Sequence, residues 1–360
     1  MRLRIIAAAA LAVVPLAALP GPAFADSGHG GHHRRSFDLQ AHRGGLGLVV
    51  ESTLDSFANG LRVGVSTLEL DIQITQDGKA VVTHDRKVDG RKCRDTGPVT
   101  PGDAEYPYVG KYVNTLTFAQ VRTLDCGSTP LPDFPGQRPA PGARMPLLSE
   151  VFDLVKRFHA HDVTLNVETK VEAGAPSETA PREQFVQVAV REIRRAHMLR
   201  QVTIQSFDWG SLMRMRQVEP QLPLVALTNY DFLQTGLPGA SPWLGGIDID
   251  DFGGDPLKAV TSFGASAFSP VHGFPQNGKV TDPGYQPYVT KAMVAEAHRL
   301  GLKVIPWTVD DEPTMNKLID DGVDGLITDY PDRLRTVLAA RGYTLPKQYE
   351  GPKRGLGDRL

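Results

Sequence analysis

From Phe37 onward short apolar runs alternate with longer amphipathic ones, and the two kinds differ in period. Eight of the short runs read as strands: FDLQAH, TLELDI, TLNVET, VTIQSF, LPLVALT, ASAFSP, KVIPWTV and GLIT. Between them, LDSFANGLRVG ends at Gly64, LLSEVFDLVKRFHA carries apolar residues at helical spacing, and VTKAMVAEAHRLG closes on Gly301. Eight strand–helix repeats predict an α/β protein, a closed TIM-type (β/α)8 barrel.

Two stretches depart from the alternation. Residues 86–146 follow the second strand, and within 127–146 six prolines and three glycines exclude a helix or a central strand. This reads as an inserted, loop-rich segment, and its attachment just after His84 predicts that it overhangs the same end of the barrel. The second stretch is GIDIDDFGGD, residues 246–255, which reads as an extra strand whose four acids invite a metal or, more plainly, as an exposed loop because the acids adjoin Gly-rich turns.

Composition adds the setting. Arg2 and Arg4 precede an apolar run that Pro15 and Pro20 interrupt, and Ala23-Phe24-Ala25 offers a small-x-small cleavage site. Residues 1–25 therefore read as a signal peptide cleaved near Ala25, not as a membrane span of about 20 residues, and the mature chain is expected to be secreted, extracellular or wall-associated, without an integral membrane segment. Residues 26–36 read as a disordered leader whose His29, His32 and His33 are solvated rather than metal-binding. Residues 37–340 then form the barrel with its insertion, and 341–360 a C-terminal tail. A formal charge of −2, more negative once the two arginines leave, gives no field favouring nucleic acid. Cys93 and Cys126 both fall in the insertion; export favours a disulfide between them over two free thiols.

Candidate chemistry gathers at the ends of the first three strands. Glu69 and Asp71 are two apart, so both point to one side of their strand, and two buried carboxylates without a cation would repel. Glu168 and Lys170 repeat this spacing on the third strand. Three carboxylates with no cysteine or histidine describe a hard oxygen site for one divalent cation, Ca²⁺ in preference to Mg²⁺. His42 and His84 end neighbouring runs and suit a proton acceptor and a proton donor. Arg43 and Lys170 suit the nonbridging oxygens of a phosphoryl group. Individually each has a bland reading: a structural histidine, a salt bridge, an Arg43–Glu51 pair. Their common place at the C-terminal ends of strands favours a site.

Taken together, HRGG, EST, ELDIQITQDGKAVVTHD, NVETK, QSF, PWTVDDE and GVDGLITDYP resemble the glycerophosphodiester phosphodiesterase family over most of residues 38–334, with the insertion outside the likeness. The resemblance implies hydrolysis of glycerophosphodiesters to sn-glycerol 3-phosphate and an alcohol, with a cation held by Glu69, Asp71 and Glu168, His42 and His84 as the catalytic pair, and Arg43 and Lys170 on the phosphate. It also implies that Glu51 orients the arginine or stands behind the cation, and that Gln205, Phe207 and Trp307 form pocket wall. The family often reads Pro-Glu-Asn-Thr where this chain has Val50-Glu51-Ser52-Thr53, and often Asn where it has Asp310. Alternatives left open are an exo-acting hydrolase of glycerol-phosphate teichoic acid, a phospholipase of the same barrel type, for which no apolar lip stands out in 86–146, and a surface binding protein without catalysis.

Overall fold

The computed structural model describes residues 36–351. The expected signal segment, all of the expected leader but Ser36, and residues 352–360 lie outside the described residues.

Eight strands form one parallel sheet: β1 Asp38–Ala41, β2 Thr67–Ile74, β3 Thr164–Thr169, β4 Val202–Ser206, β5 Leu224–Thr228, β6 Ala267–Pro270, β7 Lys303–Val304 and β8 Gly325–Thr328. They neighbour one another in the order β7-β6-β5-β4-β3-β2-β1-β8. Backbone bonds draw the two ends together: Asp324 N–H donates to Val304 O at 2.9 Å and Ile327 N–H to Pro306 O at 3.0 Å. The result is the expected TIM-type barrel, and every strand read from the sequence is present.

A helix follows each strand: α1 Leu54–Val63, α2 Leu148–Arg157, α3 Arg182–Arg195, α4 Trp209–Val218, α5 Pro256–Ser262, α6 Lys291–Arg299, α7 Glu312–Asp321 and α8 Pro331–Ala340. Helix α1 shows why these boundaries fall where they do. Thr53 Oγ1 accepts from Ser56 N–H at 3.1 Å, Ser56 Oγ accepts in return from Thr53 N–H at 3.2 Å, and Gly64 closes the helix at φ 86°. In α2 the buried residues Leu148, Val151, Phe152 and Val155 make the apolar face that the spacing predicts.

Strand β2 divides its side chains between two environments. Leu68, Leu70, Ile72 and Ile74 join the main apolar core shared with the helices. Glu69 and Asp71, on the opposite face, are also buried but point into the barrel among polar partners. A short strand, Ala80–Val82, pairs antiparallel with β2 and returns the chain toward the C-terminal end, delivering His84 there.

The insertion builds a small core of its own from Val88, Cys93, Tyr108, Val113, Leu116, Val121, Leu124 and Met145, packed with Val81 of the barrel. Cys93 and Cys126 are disulfide-bonded, and Arg94 and Asp125 beside them exchange backbone hydrogen bonds. The Pro-rich part lies along the loop after β1, where Gln137 Nε2 donates to Leu46 O at 2.6 Å and Arg138 N–H to Leu48 O at 2.9 Å. Residues 85–90 and Tyr112 line the cleft at the C-terminal end of the barrel, the overhang expected from the point of attachment.

Residues 246–255 are a loop with a 3₁₀ turn, Ile249–Phe252. Their acids serve the backbone: Asp248 accepts from Asp250 N–H at 3.0 Å, Asp250 from Gly236 N–H at 3.0 Å, and Asp255 caps α5 through Leu257 N–H at 2.9 Å. The plainer reading of this stretch holds. Residues after α8 return beneath the barrel, where Tyr349 is buried and its hydroxyl reaches Asp162.

The disulfide closes a loop of sequence separation 33, so replacing both cysteines by serine is expected to cost roughly 3 to 4 kcal/mol. A lower midpoint of urea unfolding checks this; an unchanged midpoint would show that the small core alone holds the insertion.

Candidate active site

The sharp turn after β1 sets the geometry. Arg43 lies in the left-handed region at φ 50°, and Gly44 follows at φ 87°. A Cβ on Gly44 would sit 2.6 Å from Ser56 Oγ and 2.8 Å from the Ser56 carbonyl carbon, so only glycine lets the chain lie this close to α1. The folded-back turn directs the Arg43 backbone N–H at Glu69 Oε2, 2.9 Å away.

Three acids meet below that turn. Glu69, Asp71 and Glu168 each present a carboxylate oxygen, all within 4.8 Å of one another, and their exposures are 1%, 1% and 6%. Gln205 Nε2 donates to Glu69 Oε1 at 2.7 Å, and Gln205 is held in turn by Asn166, whose Nδ2 donates to Gln205 Oε1 at 2.7 Å and to Gln40 Oε1 at 3.0 Å. This interior ladder fixes the cluster from beneath. Asp71 Oδ2 has no hydrogen-bond partner although buried, and Arg43 Nε faces it at 3.4 Å. Lys170 Nζ lies 2.9 Å from Glu168 Oε1 and 3.8 Å from Asp71 Oδ1.

Crowding three carboxylates splits their behaviour. Burial and then Asp71 push Glu69 well above the carboxylate range. Burial pushes Glu168 up to about 8, with Lys170 opposing and Asp71 reinforcing. Asp71 goes the other way: burial raises it, but His84, Lys170 and Arg43 together outweigh that and lower it. An oxygen-only donor set with a buried, unpaired carboxylate oxygen fits a hard divalent cation.

Both histidines are held the same way. His42 Nδ1 lies 2.5 Å from Asp329 Oδ1, and His84 Nδ1 lies 2.9 Å from Asp85 Oδ1. A carboxylate only accepts, so the proton sits on Nδ1 and Nε2 is the free ring nitrogen of each. Desolvation in the cleft, then Arg43 and Lys170, hold His84 well below its ordinary range, so its ring is neutral at pH 7.

Glu51 carries Arg43: Arg43 Nη1 donates to Glu51 Oε2 at 2.9 Å. Its other oxygen accepts from Lys92 Nζ at 2.7 Å, and the same ammonium donates to Asp85 Oδ2 at 2.6 Å. Although burial pushes Glu51 up, Arg43 and Lys92 outweigh it and hold the carboxyl at about 2.

The structure thus brings His42, Arg43, Glu69, Asp71, His84, Glu168, Lys170, Gln205, Phe207 and Trp307 to one cleft of about 780 Å³, with Glu51 behind Arg43. The profile of the glycerophosphoryl diester phosphodiesterase family matches residues 42–333 of this chain. The chain belongs to that family.

Relatives and solved structures agree. A glycerophosphodiester phosphodiesterase of Caldanaerobacter subterraneus is 28% identical over 302 residues, covering 84% of this chain and 98% of its own. One from Bacillus subtilis is 28% identical over 313 residues, covering 84% and 86%. A crystal structure from Silicibacter pomeroyi, named for the same family, superposes with TM-score 0.69 at 30% identity, covering 87% of this chain and 96% of that one. This protein is accordingly a phosphoric diester hydrolase.

Several residues of this phosphodiesterase's cleft carry no signal in the sequence. Phe232 and Trp243, both from the loop after β5, stack with ring centroids 4.3 Å apart and planes 1° apart. Phe207 packs edge-on against Phe232 at 5.6 Å and against Trp307 at 5.4 Å, completing an aromatic wall. The loop after β5 thus supplies half of an apolar wall that Phe207 and Trp307 complete. Asp329 and Lys92 are likewise absent from the residues that sequence reasoning singles out. Asp329, in the motif ITDYP, stands just past the end of β8 and is readable as a strand-end position, whereas nothing in the local pattern marks Lys92.

Asp310, where the family often has Asn, stands behind Asp329. Its Oδ1 accepts from Asp329 N–H at 2.9 Å and Thr328 Oγ1 at 3.1 Å. Burial, then Asp329, push Asp310 up to about 7, so near neutral pH it is only partly ionised. A folded-state pKa above the unfolded value gives stability that is present in acid and lost as pH rises through about 7. Asp310→Asn is therefore expected to raise Tm relative to wild type at about pH 8 and to leave it near wild type at about pH 4. A thermal-unfolding series across pH reads the crossover; a parallel offset at every pH would contradict it.

Proposed function

We propose that this member hydrolyses glycerophosphodiesters to sn-glycerol 3-phosphate and an alcohol, using one divalent cation on Glu69, Asp71 and Glu168 and proton transfer by His42 and His84. The observation that carries it is the convergence of the three-acid cluster with two histidines whose Nδ1 atoms are each held by a carboxylate. When bound, the cation supplies neutralisation of phosphate charge. Lys170, and Arg43 steadied by Glu51, add positive charge for the nonbridging oxygens. One histidine accepts the nucleophile's proton through its free Nε2, and the other, entering the cycle doubly protonated, donates its Nε2 proton to the departing oxygen. The nucleophile is water or the substrate's neighbouring hydroxyl, which an analogue lacking that hydroxyl separates. Among solved structures of similar fold, a phosphodiesterase from Oleispira antarctica is described in complex with the product sn-glycerol-3-phosphate, at 17% identity and TM-score 0.59. We also propose that the chain is exported, on the strength of the apolar run behind Arg2 and Arg4 and the site at Ala25. None of the described helices is long and apolar enough to cross a membrane.

A second reading is favoured by the aromatic wall. Phe207, Phe232, Trp243 and Trp307 line the cleft, and Tyr230 and Leu237, in the same loop as Phe232, are 53% and 55% exposed. A glycerophosphodiester that bears an acyl chain on its glycerol would lay apolar surface there. A relative named lysophospholipase D in Rattus norvegicus is 24% identical over 311 residues and covers 83% of this chain.

The deciding assay follows release of sn-glycerol 3-phosphate from glycerophosphocholine and from glycerol-phosphate teichoic acid, and release of choline from lysophosphatidylcholine, each with Ca²⁺, Mg²⁺ or chelator. Cation-dependent release that falls by a factor of about 100 or more in His42→Ala is expected. Release unaffected by chelator, or retained in the mutant, would sink the mechanism, and preference for the acylated substrate would select the second reading.

Cation binding should also release protons. With Glu69 raised and Glu168 near 8, carboxyl protons are present at pH 7 and must leave before an oxygen can bind the cation. Affinity should therefore rise as pH increases from about 6 to about 8. Calorimetry in buffers of different ionisation enthalpy reads the protons released; a pH-independent affinity would show the carboxyls already ionised.

A further inference from the structure

We propose that Lys92, supplied by the insertion, is a positioning residue for His84, and that the Cys93–Cys126 disulfide keeps it in place. Its kinetic consequence rests on the hydrolytic reading above. The contacts that Lys92 makes do not.

The lysine ties three parts of the chain that are remote in sequence. Its ammonium donates to Glu51, on the loop after β1, at 2.7 Å and to Asp85, on the chain after β2, at 2.6 Å. Each partner also holds a residue of the cleft, Glu51 binding Arg43 at 2.9 Å and Asp85 binding His84 Nδ1 at 2.9 Å. One side chain therefore stands behind both the phosphate-facing arginine and one of the two histidines.

Asp85 is the partner that depends on it more. Its side chain is 30% exposed, against 7% for Glu51, and the solvent offers it other rotamers. Among the described residues no cation other than Lys92 pairs with Asp85. The matching carboxylate for His42, Asp329, needs no such clamp: its side chain is 8% exposed, and its backbone N–H is fixed on Asp310. Without Lys92, Asp85 is free to leave His84, and an unheld imidazole can take the other tautomer, moving the proton to Nε2.

The lysine in turn is held through its backbone. Its N–H and that of Cys93 both donate to Asp89 O, at 3.1 and 2.9 Å, and the disulfide anchors the next residue. Arg94 then exchanges backbone bonds of 2.9 and 3.0 Å with Asp125, so the turn carrying Lys92 is fixed within a few residues on its C-terminal side.

The test uses the full chain with ¹⁵N-labelled histidine and compares wild type with Lys92→Met, Lys92→Arg and Cys93→Ser/Cys126→Ser. Ring-nitrogen NMR is expected to show His84 protonated on Nδ1 in wild type, to show that state lost or mixed in Lys92→Met, and to show it restored in Lys92→Arg. The His42 signal, held by Asp329, should not move and reports that the barrel is intact. The cysteine variant should show the same His84 change in part. With glycerophosphocholine, Lys92→Met should lower kcat about 10- to 100-fold with KM within about threefold of wild type, and Lys92→Arg should recover most of the loss. An unchanged His84 tautomer in Lys92→Met would overturn the proposal. Should Lys92→Met fail to fold, the cysteine variant decides, with an unaltered His84 signal counting against it. A wild-type chain inactive on every glycerophosphodiester would overturn the hydrolytic reading alone, because the tautomer measurement needs no turnover.

Discussion

Three carboxylates confined in the interior end of a barrel are the constraint from which the rest of this site follows. Left to themselves Glu69, Asp71 and Glu168 repel, and burial removes the water that would screen them. The chain answers with charge and with hydrogen bonds: Lys170 against Glu168, Arg43 facing Asp71, Gln205 and the Arg43 N–H on Glu69. None of these comes from one element. The arginine requires the left-handed turn after β1, the lysine the end of β3, the glutamine the end of β4, so the cluster is stable only when neighbouring strands are in register.

Register explains how much of this is legible in the sequence. Side chains alternate on a strand, so Glu69 with Asp71 and Glu168 with Lys170 announce their shared side from spacing two alone, and a parallel barrel puts all strand ends at one rim. The pairing of Asp71 with Glu168 in the β2–β3 ladder is the structural form of that reading. Strands and their order are legible because their apolar runs are short and their turns well marked. The insertion is legible only as an interruption, since prolines and glycines say what a segment is not. Its pairings are contacts between residues far apart in sequence, Lys92 with Glu51 and Gln137 with Leu46, and no local period encodes them.

The aromatic wall escapes the sequence for a related reason. Phe232 and Trp243 are separated by a loop rich in glycine and proline, and neither sits at a strand end. Their stacking is a product of the loop's folding back on itself. By contrast Phe207 and Trp307 follow directly from strands and can be placed, even though they meet Phe232 only in the folded chain.

The two histidines show how identical local chemistry can rest on unlike supports. Each has its Nδ1 on a carboxylate, yet Asp329 is rooted at the end of β8 and backed by Asp310, whereas Asp85 is half open to the cleft and leans on a lysine from the insertion. The first arrangement is part of barrel closure, since the chain around β8 is what bonds back to Val304 and Pro306. The second is added from outside. A general acid or base must keep its reactive nitrogen aimed while the opposite partner changes charge, and a support from outside the barrel can be altered without disturbing the strands. His42 is thus fixed by the fold itself, and His84 by a segment that the fold only carries.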